Sequence, residues 1–186
     1  MRVLGFSGSL RADSHNSRLL RVAANSLPPE TEFELVTTLD SLPAYNEDHE
    51  GNSAVIGPVA ELREQVTAAD AILIATPEYN SSIPGHLKNA LDWLSRPFPD
   101  NALRGKPVAV IGASSGSFGA VWSQAETRKV LGAIGARVVG SELPVGKAAD
   151  AFVGDERLHQ EELHQQLEAL LAELVEQTKI REQAAA

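Results

Sequence analysis

Short apolar runs alternate along this chain with longer stretches in which apolar residues return every three or four positions. The runs Val3 to Ser7, Phe33 to Thr37, Ala71 to Thr76, Val108 to Ala113 and Arg137 to Leu143 read as strands. Ala71-Ile72-Leu73-Ile74-Ala75 and Val108-Ala109-Val110-Ile111 contain no polar side chain, which marks central strands covered on both faces. Helical spacing falls between the strands, near residues 16–26, 55–68, 84–95, 119–134 and 155–179. Pro84 suits a first helical position, and Leu87, Ala90, Leu91 and Leu94 then share one face. The last helix gathers Leu163, Leu167, Leu170, Leu171 and Leu174 into one stripe, the pattern of a helix laid over a core. Asn46 to Ser53 reads as one long loop, and residues 181–186 as a frayed tail. No repeat or linker divides the rest, so residues 1–180 are expected to form a single domain.

Strands alternating with helices build βαβ units. Five of them are expected to build an α/β fold, a doubly wound five-stranded parallel sheet with helices on both faces, for which the order 2-1-3-4-5 is permitted and expected. In such a sheet ligands bind beyond the carboxyl ends of the strands, where the winding reverses between the first and third strands. Function is therefore expected in three loops: Gly8 to His15, Pro77 to Ile83 and Ser114 to Phe118.

Charge and composition narrow what those loops can do. A net charge of -9 argues against nucleic acid or an anionic membrane as partner, so any phosphate site has to be local. With no cysteine, the chain has neither disulfides nor thiolate chemistry, and redox work would require a bound cofactor. The chain enters its first strand almost at once, and no apolar run approaches the roughly 20 residues of a membrane span; a cytoplasmic location is expected.

The first loop, Ser7-Gly8-Ser9-Leu10-Arg11-Ala12-Asp13-Ser14-His15-Asn16-Ser17, offers hydroxyls, one guanidinium and a helix start that Ser14 or Asn16 would cap. It has neither the Gly-Lys-Ser/Thr ending of a triphosphate loop nor the dinucleotide glycine spacing, which leaves a monophosphate as the expected anion. The second, Pro77-Glu78-Tyr79-Asn80-Ser81-Ser82-Ile83-Pro84-Gly85, places an aromatic, an amide and a carboxylate between stiffening prolines. The third, Gly112-Ala113-Ser114-Ser115-Gly116-Ser117-Phe118-Gly119, can bring backbone amides close to a flat ligand. Its Gly-x-Ser-x-Gly spacing also fits a hydrolase elbow with Ser114 as nucleophile, although the only downstream histidines, His159 and His164, fall in the stretch expected to be the last helix. His15, His49 and His86 show no metal-ligand spacing.

Three motifs together resemble one family. Gly8-Ser9-Leu10-Arg11 with Ser14 and Asn16, then Pro77-Glu78-Tyr79-Asn80 followed by Ile83-Pro84-Gly85, Lys88-Asn89-Ala90 and Asp92-Trp93, then Ser114-Ser115-Gly116, are similar in order and spacing to the NADPH-dependent FMN reductases of the flavodoxin-like superfamily, a group that includes quinone, chromate and azo-dye reductases. The resemblance runs from Met1 to about Val145. It implies that Ser9, Arg11, Ser14, Asn16 and Ser17 surround the phosphate of FMN. Pro77, Glu78, Tyr79, Asn80 and Ser81 would line its ring, and Ser114, Ser115 and Gly116 would approach the ring's pyrimidine edge. Ser81 departs from close relatives, which often carry a second aromatic there, and this bears on the shape of the substrate pocket. It implies further that NADPH or NADH is co-substrate, that a small-molecule electron acceptor such as a quinone is reduced, and that the chain is a homodimer or homotetramer with the helix at Pro84 to Ser95 near the interface and Trp93 as its apolar anchor. The alternatives are an FMN-binding electron carrier without NAD(P)H activity of its own, and a serine hydrolase using Ser114.

Overall fold

The computed structural model describes residues 1–52 and 54–185, with side chains through Arg181. Strands β1 (Arg2–Ser7), β2 (Glu32–Leu35), β3 (Ala71–Ala75), β4 (Pro107–Ala113) and β5 (Arg137–Val138) form a parallel sheet in the order β2-β1-β3-β4-β5. This is the flavodoxin-like order expected from the sequence. Every residue of β3 and β4 is buried, as their unbroken apolar runs require.

Helices α1 (His15–Ser26) and α5 (Glu161–Ala185) cover one face, where Leu19, Leu20 and Val22 meet Leu167, Leu170, Leu171 and Leu174 over Val3, Leu73 and Ile111. On the other face α2 (Gly57–Ala68), α3 (Gly85–Leu94) and α4 (Val121–Ile134) bring Leu62, Leu91 and Leu131 onto Leu4, Ile72 and Val110. Alternate residues of each central strand feed opposite cores, and each buried Leu or Ile adds roughly 1.5–3 kcal/mol of apolar burial.

Several boundaries differ from the sequence reading, each for a tertiary reason. The fifth strand, expected from Arg137 to Leu143, is split. After β5 the chain leaves β4 and returns as β6 (Pro144–Val145), which pairs with Gly112 and Ala113. The last helix begins at Glu161 rather than 155, because Phe152–Val153 (β7) and Arg157–Leu158 (β8) close a hairpin over Gly154, whose φ of 56° turns the chain. Asp155 at that turn accepts from Arg18 Nε (3.1 Å) and Arg21 Nε (2.8 Å), which pins the hairpin to α1 and pulls the Asp155 pKa down. Pro84 precedes α3 as its cap residue instead of opening it. Within the loop expected over Asn46 to Ser53, Glu47–His49 makes a short 3-10 turn, and Ser53 lies outside the described residues. Of the tail expected to fray, residues 181–185 continue α5, with a side chain described only for Arg181, and Ala186 lies outside the described residues.

Trp93 was expected at a subunit interface. It is instead fully buried, its indole N–H donating to Pro43 O at 2.8 Å and Tyr45 packed edge-on at 5.0 Å. Asn89, one turn earlier, donates to the same carbonyl (2.9 Å) and accepts from Tyr45 N (2.8 Å). The Lys-Asn-Ala-Leu-Asp-Trp motif thus holds the long loop after β2 against α3, and an indole spent on that task cannot anchor a second subunit.

At the opposite end of the sheet Lys106, one residue before β4, is only 2% exposed. Its Nζ donates to the carbonyls of Ala69 and Thr67 at the end of α2, the latter at 3.2 Å. Burial, reinforced by the nearby charge of Arg181, draws its pKa from 10.5 to about 8. Below that value folded and unfolded chains both hold the proton, and the folded state bears the cost of the buried charge. Between about 8 and 10.5 the folded state has released it and the unfolded state has not, so stability rises with pH. Urea unfolding of wild type and Lys106→Met should therefore diverge in the wild type's favour across that window, by up to about 3 kcal/mol. Parallel pH profiles for the two proteins would refute the assignment.

Candidate functional site

The site is built where β1, β3 and β4 end side by side. Gly8 N–H donates to Ala75 O (2.7 Å) and Thr76 N–H to Ile111 O (2.9 Å), so the three strand-end loops start from one rigid edge. In the first loop Ser14 is the N-cap of α1, its Oγ accepting from Asn16 N (3.2 Å) and Ser17 N (3.3 Å). Asn16 has another task. It is almost wholly buried, its Nδ2 donating to Ala113 O (2.9 Å) and its Oδ1 accepting from Ala113 N (2.9 Å), which ties α1 to the end of β4. Ser7 and Ser17 share a hydroxyl contact of 2.8 Å, and Ser7 also donates to Ser9 O (3.1 Å). The N–H groups of Ser9, Leu10 and Arg11 meet no acceptor among the described residues, and the Arg11 guanidinium is exposed with no ion pair among them.

The loop after β3 is a two-residue reverse turn. Tyr79 and Ser82 exchange backbone hydrogen bonds (3.2 and 3.1 Å), and Asn80 and Ser81 at the tip take φ of 53° and 59°. Left-handed backbone is tolerated by Asn and disfavoured for Ser, so the turn needs outside support. Helix α4 supplies it twice. Ala120, at its N-cap position, has no side chain to cap with, and Glu78 Oε2 accepts instead from Trp122 N (3.0 Å) and Ser123 N (3.2 Å). One helical turn later Glu126 Oε2 accepts from Ser82 Oγ (2.5 Å) and Ile83 N (3.3 Å), hydrogen bonds that lower its pKa. Beneath them Thr76 and Ser123 share a buried hydroxyl contact of 2.8 Å.

The loop after β4 lies on the returning chain. Ser114 N donates to Val145 O (3.0 Å), and Ser114 O and Gly116 O accept from Ala148 N (3.0 Å) and Lys147 N (2.8 Å). The approach is so close that a Cβ on Gly119 would lie 2.2 Å from Pro144 C, and one on Gly146 would lie 2.4 Å from Ser117 O. Those glycines serve packing. Ser115 and Gly116 keep N–H groups with no acceptor among the described residues.

Together the loops enclose a cleft of about 110 Å³ walled by Ser9, Arg11, Ser14, Asn16, Pro77, Glu78, Tyr79, Ser114 and Ser115, with His15 and Ala113 completing it. Nine of the residues singled out from sequence thus meet there. Ser17 instead faces an adjoining hollow of about 280 Å³ that shares Ser9 and Arg11 and extends to Leu39 and Asp40. Asn80 and Ser81 form the tip of the reverse turn, and Gly116 sits beyond the cleft's rim. The sequence reading passed over Glu126 and Ser123 and weighed His86 only as a metal ligand. His86, in the first turn of α3, has an imidazole whose burial lowers its pKa and a buried Nε2 with no partner among the described residues. The hydrolase constellation does not assemble: Ser114 Oγ donates to Gly116 O (3.4 Å), while His159 lies ahead of α5 and His164 faces Leu158 N (3.5 Å) and Glu168 (3.7 Å). Among the described residues no three His, Asp or Glu side chains gather as a metal site.

Comparison with known proteins decides the family. The model of the NADPH-dependent FMN reductases matches residues 1–150. The chain belongs to that family. An NAD(P)H-dependent FMN reductase of Pseudomonas aeruginosa is 43% identical over 176 residues, covering 91% of this chain and 93% of that protein. A quinone reductase of Escherichia coli K12 is 38% identical over 131 residues, 70% of this chain and 69% of its own. The solved structure of FerB, a flavoenzyme NAD(P)H:(acceptor) oxidoreductase from Paracoccus denitrificans, superposes with a TM-score of 0.84 at 34% identity over 96% of this chain and 97% of FerB. This FMN reductase is therefore an oxidoreductase that uses FMN and NAD(P)H. Its cleft has features that fit the cofactor's phosphate end: a helix N-terminus, and a guanidinium and backbone donors without partners among the described residues, converge on one small polar space.

Because the Glu78 carboxylate replaces a missing cap, Glu78→Ala should cost about 1 kcal/mol of stability in urea unfolding and weaken flavin binding as the Tyr79 turn loosens. Unchanged stability would show that α4 does not depend on it.

Proposed function

We propose that this enzyme reduces quinones with NAD(P)H, FMN being held by its phosphate in the cleft and by its ring across the open turns at Tyr79 and Ser115. The observation that carries the reading is the concentration of unsatisfied donors around a space of only about 110 Å³. In this reading the phosphate and the start of the polyol chain fill that polar space, and the ring lies across its rim at Tyr79 and Ser115.

Arg11 and the α1 N-terminus oppose the dianionic phosphate in a protein whose net charge would otherwise repel it. Ser9 and the backbone N–H groups of the first loop complete its hydrogen bonds. Tyr79, half exposed beside Pro77, walls the ring and limits its hydration. The N–H groups of Ser115 and Gly116 stabilise negative charge that develops on the ring's edge, in the manner of an oxyanion hole. When bound, FMN supplies the redox chemistry, accepting hydride from the nicotinamide and returning it to the acceptor. The rim open to solvent admits the nicotinamide and the quinone in turn, and the rigid turn braced by Glu78 and Glu126 keeps both in one plane.

In this reading a second copy of the chain packs beside that rim. Phe118 and Trp122 pack edge-on at 5.2 Å and stand 66% and 48% exposed beside Tyr79 at 47%, which takes over the anchoring role that buried Trp93 cannot fill. Sedimentation should give a dimer or tetramer that Trp122→Glu converts toward monomer; a monomeric wild type at micromolar concentration would contradict it.

The function itself is tested by the visible spectrum. Purified protein reconstituted with FMN should lose its yellow absorbance on anaerobic addition of NADPH or NADH and regain it on addition of a benzoquinone. Arg11→Ala should raise the dissociation constant for FMN roughly tenfold or more, as loss of a charge-assisted hydrogen bond worth about 1.5–3 kcal/mol requires. A flavin that stays oxidised with both nucleotides would leave only the carrier role, and unaltered FMN affinity would remove Arg11 from the phosphate site.

A further inference from the structure

The end of the sheet opposite the flavin cleft holds a hollow of about 390 Å³ with an unusual wall. Arg63 from α2, Arg96 after α3, Arg104 and Lys106 from the turn before β4, and Arg181 from α5 line it, against the single carboxylate of Asp100. Five cations converge on one space in a chain whose net charge is -9.

Helix ends explain some of these charges. Lys106 Nζ donates to Thr67 O (3.2 Å) and Ala69 O, and Arg63 Nη2 donates to Trp93 O (3.1 Å), so both complement the negative carbonyl ends of α2 and α3. Helix ends do not explain the other three. Arg96 turns its Nε to Tyr45 Oη (2.9 Å) and Glu50 (3.1 Å), Arg104 bonds Pro99 O through Nε, and Arg181 bonds no helix-terminal carbonyl among the described residues. In Arg96 and Arg104 the inner nitrogen is used for orientation, which leaves the outer fork of the guanidinium with no acceptor among the described residues. The carbonyl partners of Arg63, Arg104 and Lys106 orient a cation without neutralising it, whereas Arg96 is ion-paired with Glu50. Arg63 Nε is buried with no partner there, and Arg181 lies near enough to Lys106 to add to the lowering of its pKa. Like charges drawn together around an open space are stable when an anion enters it.

We propose that this basal hollow is a binding site for a small phosphate-bearing polyanion of diphosphate size, separate from the flavin site. The forks of Arg96 and Arg104 match phosphate oxygens two at a time, and Lys106 and Arg181 add point charge from below. The polar wall and the volume suit two linked phosphates, free or carried by a nucleoside.

The test is calorimetric titration of the FMN-saturated protein with inorganic pyrophosphate, and in a parallel arm with ADP, at low and constant ionic strength. Saturable binding of one pyrophosphate or one ADP per chain is expected. Arg104→Ala and Arg181→Ala should each raise the dissociation constant about tenfold while leaving FMN affinity unchanged. Arg137→Ala, which removes an exposed cation outside the hollow, should leave binding intact. A tighter ADP arm identifies a nucleoside diphosphate, and equal arms identify the bare diphosphate. Absence of saturable heat at millimolar ligand, binding that survives both arginine variants, or equal weakening by Arg137→Ala would overturn the site.

Discussion

The Asn16 amide, sealed between α1 and the end of β4, closes a two-point hydrogen bond on the peptide of Ala113. That one contact sets the distance between the loop after β1 and the loop after β4. A buried amide satisfied on both sides is stiff, since breaking either bond leaves a polar group without water or partner. It also explains how the first loop can leave the N–H groups of Ser9, Leu10 and Arg11 free. The scaffold is held by Ser14 and Asn16, so the loop's own backbone need not fold back on itself.

The same economy recurs across the cleft. Asn80 and Ser81 hold a disfavoured backbone at the turn tip, and the strain is borne by carboxylates reaching to and from α4. Glu78 caps a helix that Ala120 cannot cap, and Glu126 grips the turn's far side. The acidic residue of the Pro-Glu-Tyr-Asn motif therefore acts mainly on protein, while Tyr79 faces the ligand space. Rigidity of this kind lowers the entropy lost when a flat cofactor settles on the rim.

Much of this was legible in the chain before its structure. Unbroken apolar runs identified β3 and β4, alternating periodicity pointed to a doubly wound parallel sheet, and strand ends located the three loops. The motifs then pointed to the family. What local pattern could not show was the use of side chains over long separations. Asn16 looked like a cap or a phosphate ligand because its true partner, Ala113, stands 97 positions away. Trp93 looked like an interface anchor because the Pro43 carbonyl that takes its N–H arrives from another loop. The hairpin over Gly154 was read as the start of a helix because Glu156 and Arg157 carry helical propensity that the contacts of Asp155 with Arg18 and Arg21 override.

Charge is distributed with equal purpose. An acidic chain that binds phosphate must concentrate its few free cations, and Arg11 stands at the flavin cleft while the larger cationic group lies at the far end of the sheet. The central claim is that the cofactor's phosphate, rather than its ring, is the chief hold. Titration of the apoprotein with FMN and with riboflavin, followed by quenching of flavin fluorescence, tests this directly. The account predicts that FMN binds on the order of a hundredfold more tightly, the equivalent of two charge-assisted hydrogen bonds. Riboflavin binding as tightly as FMN would contradict it.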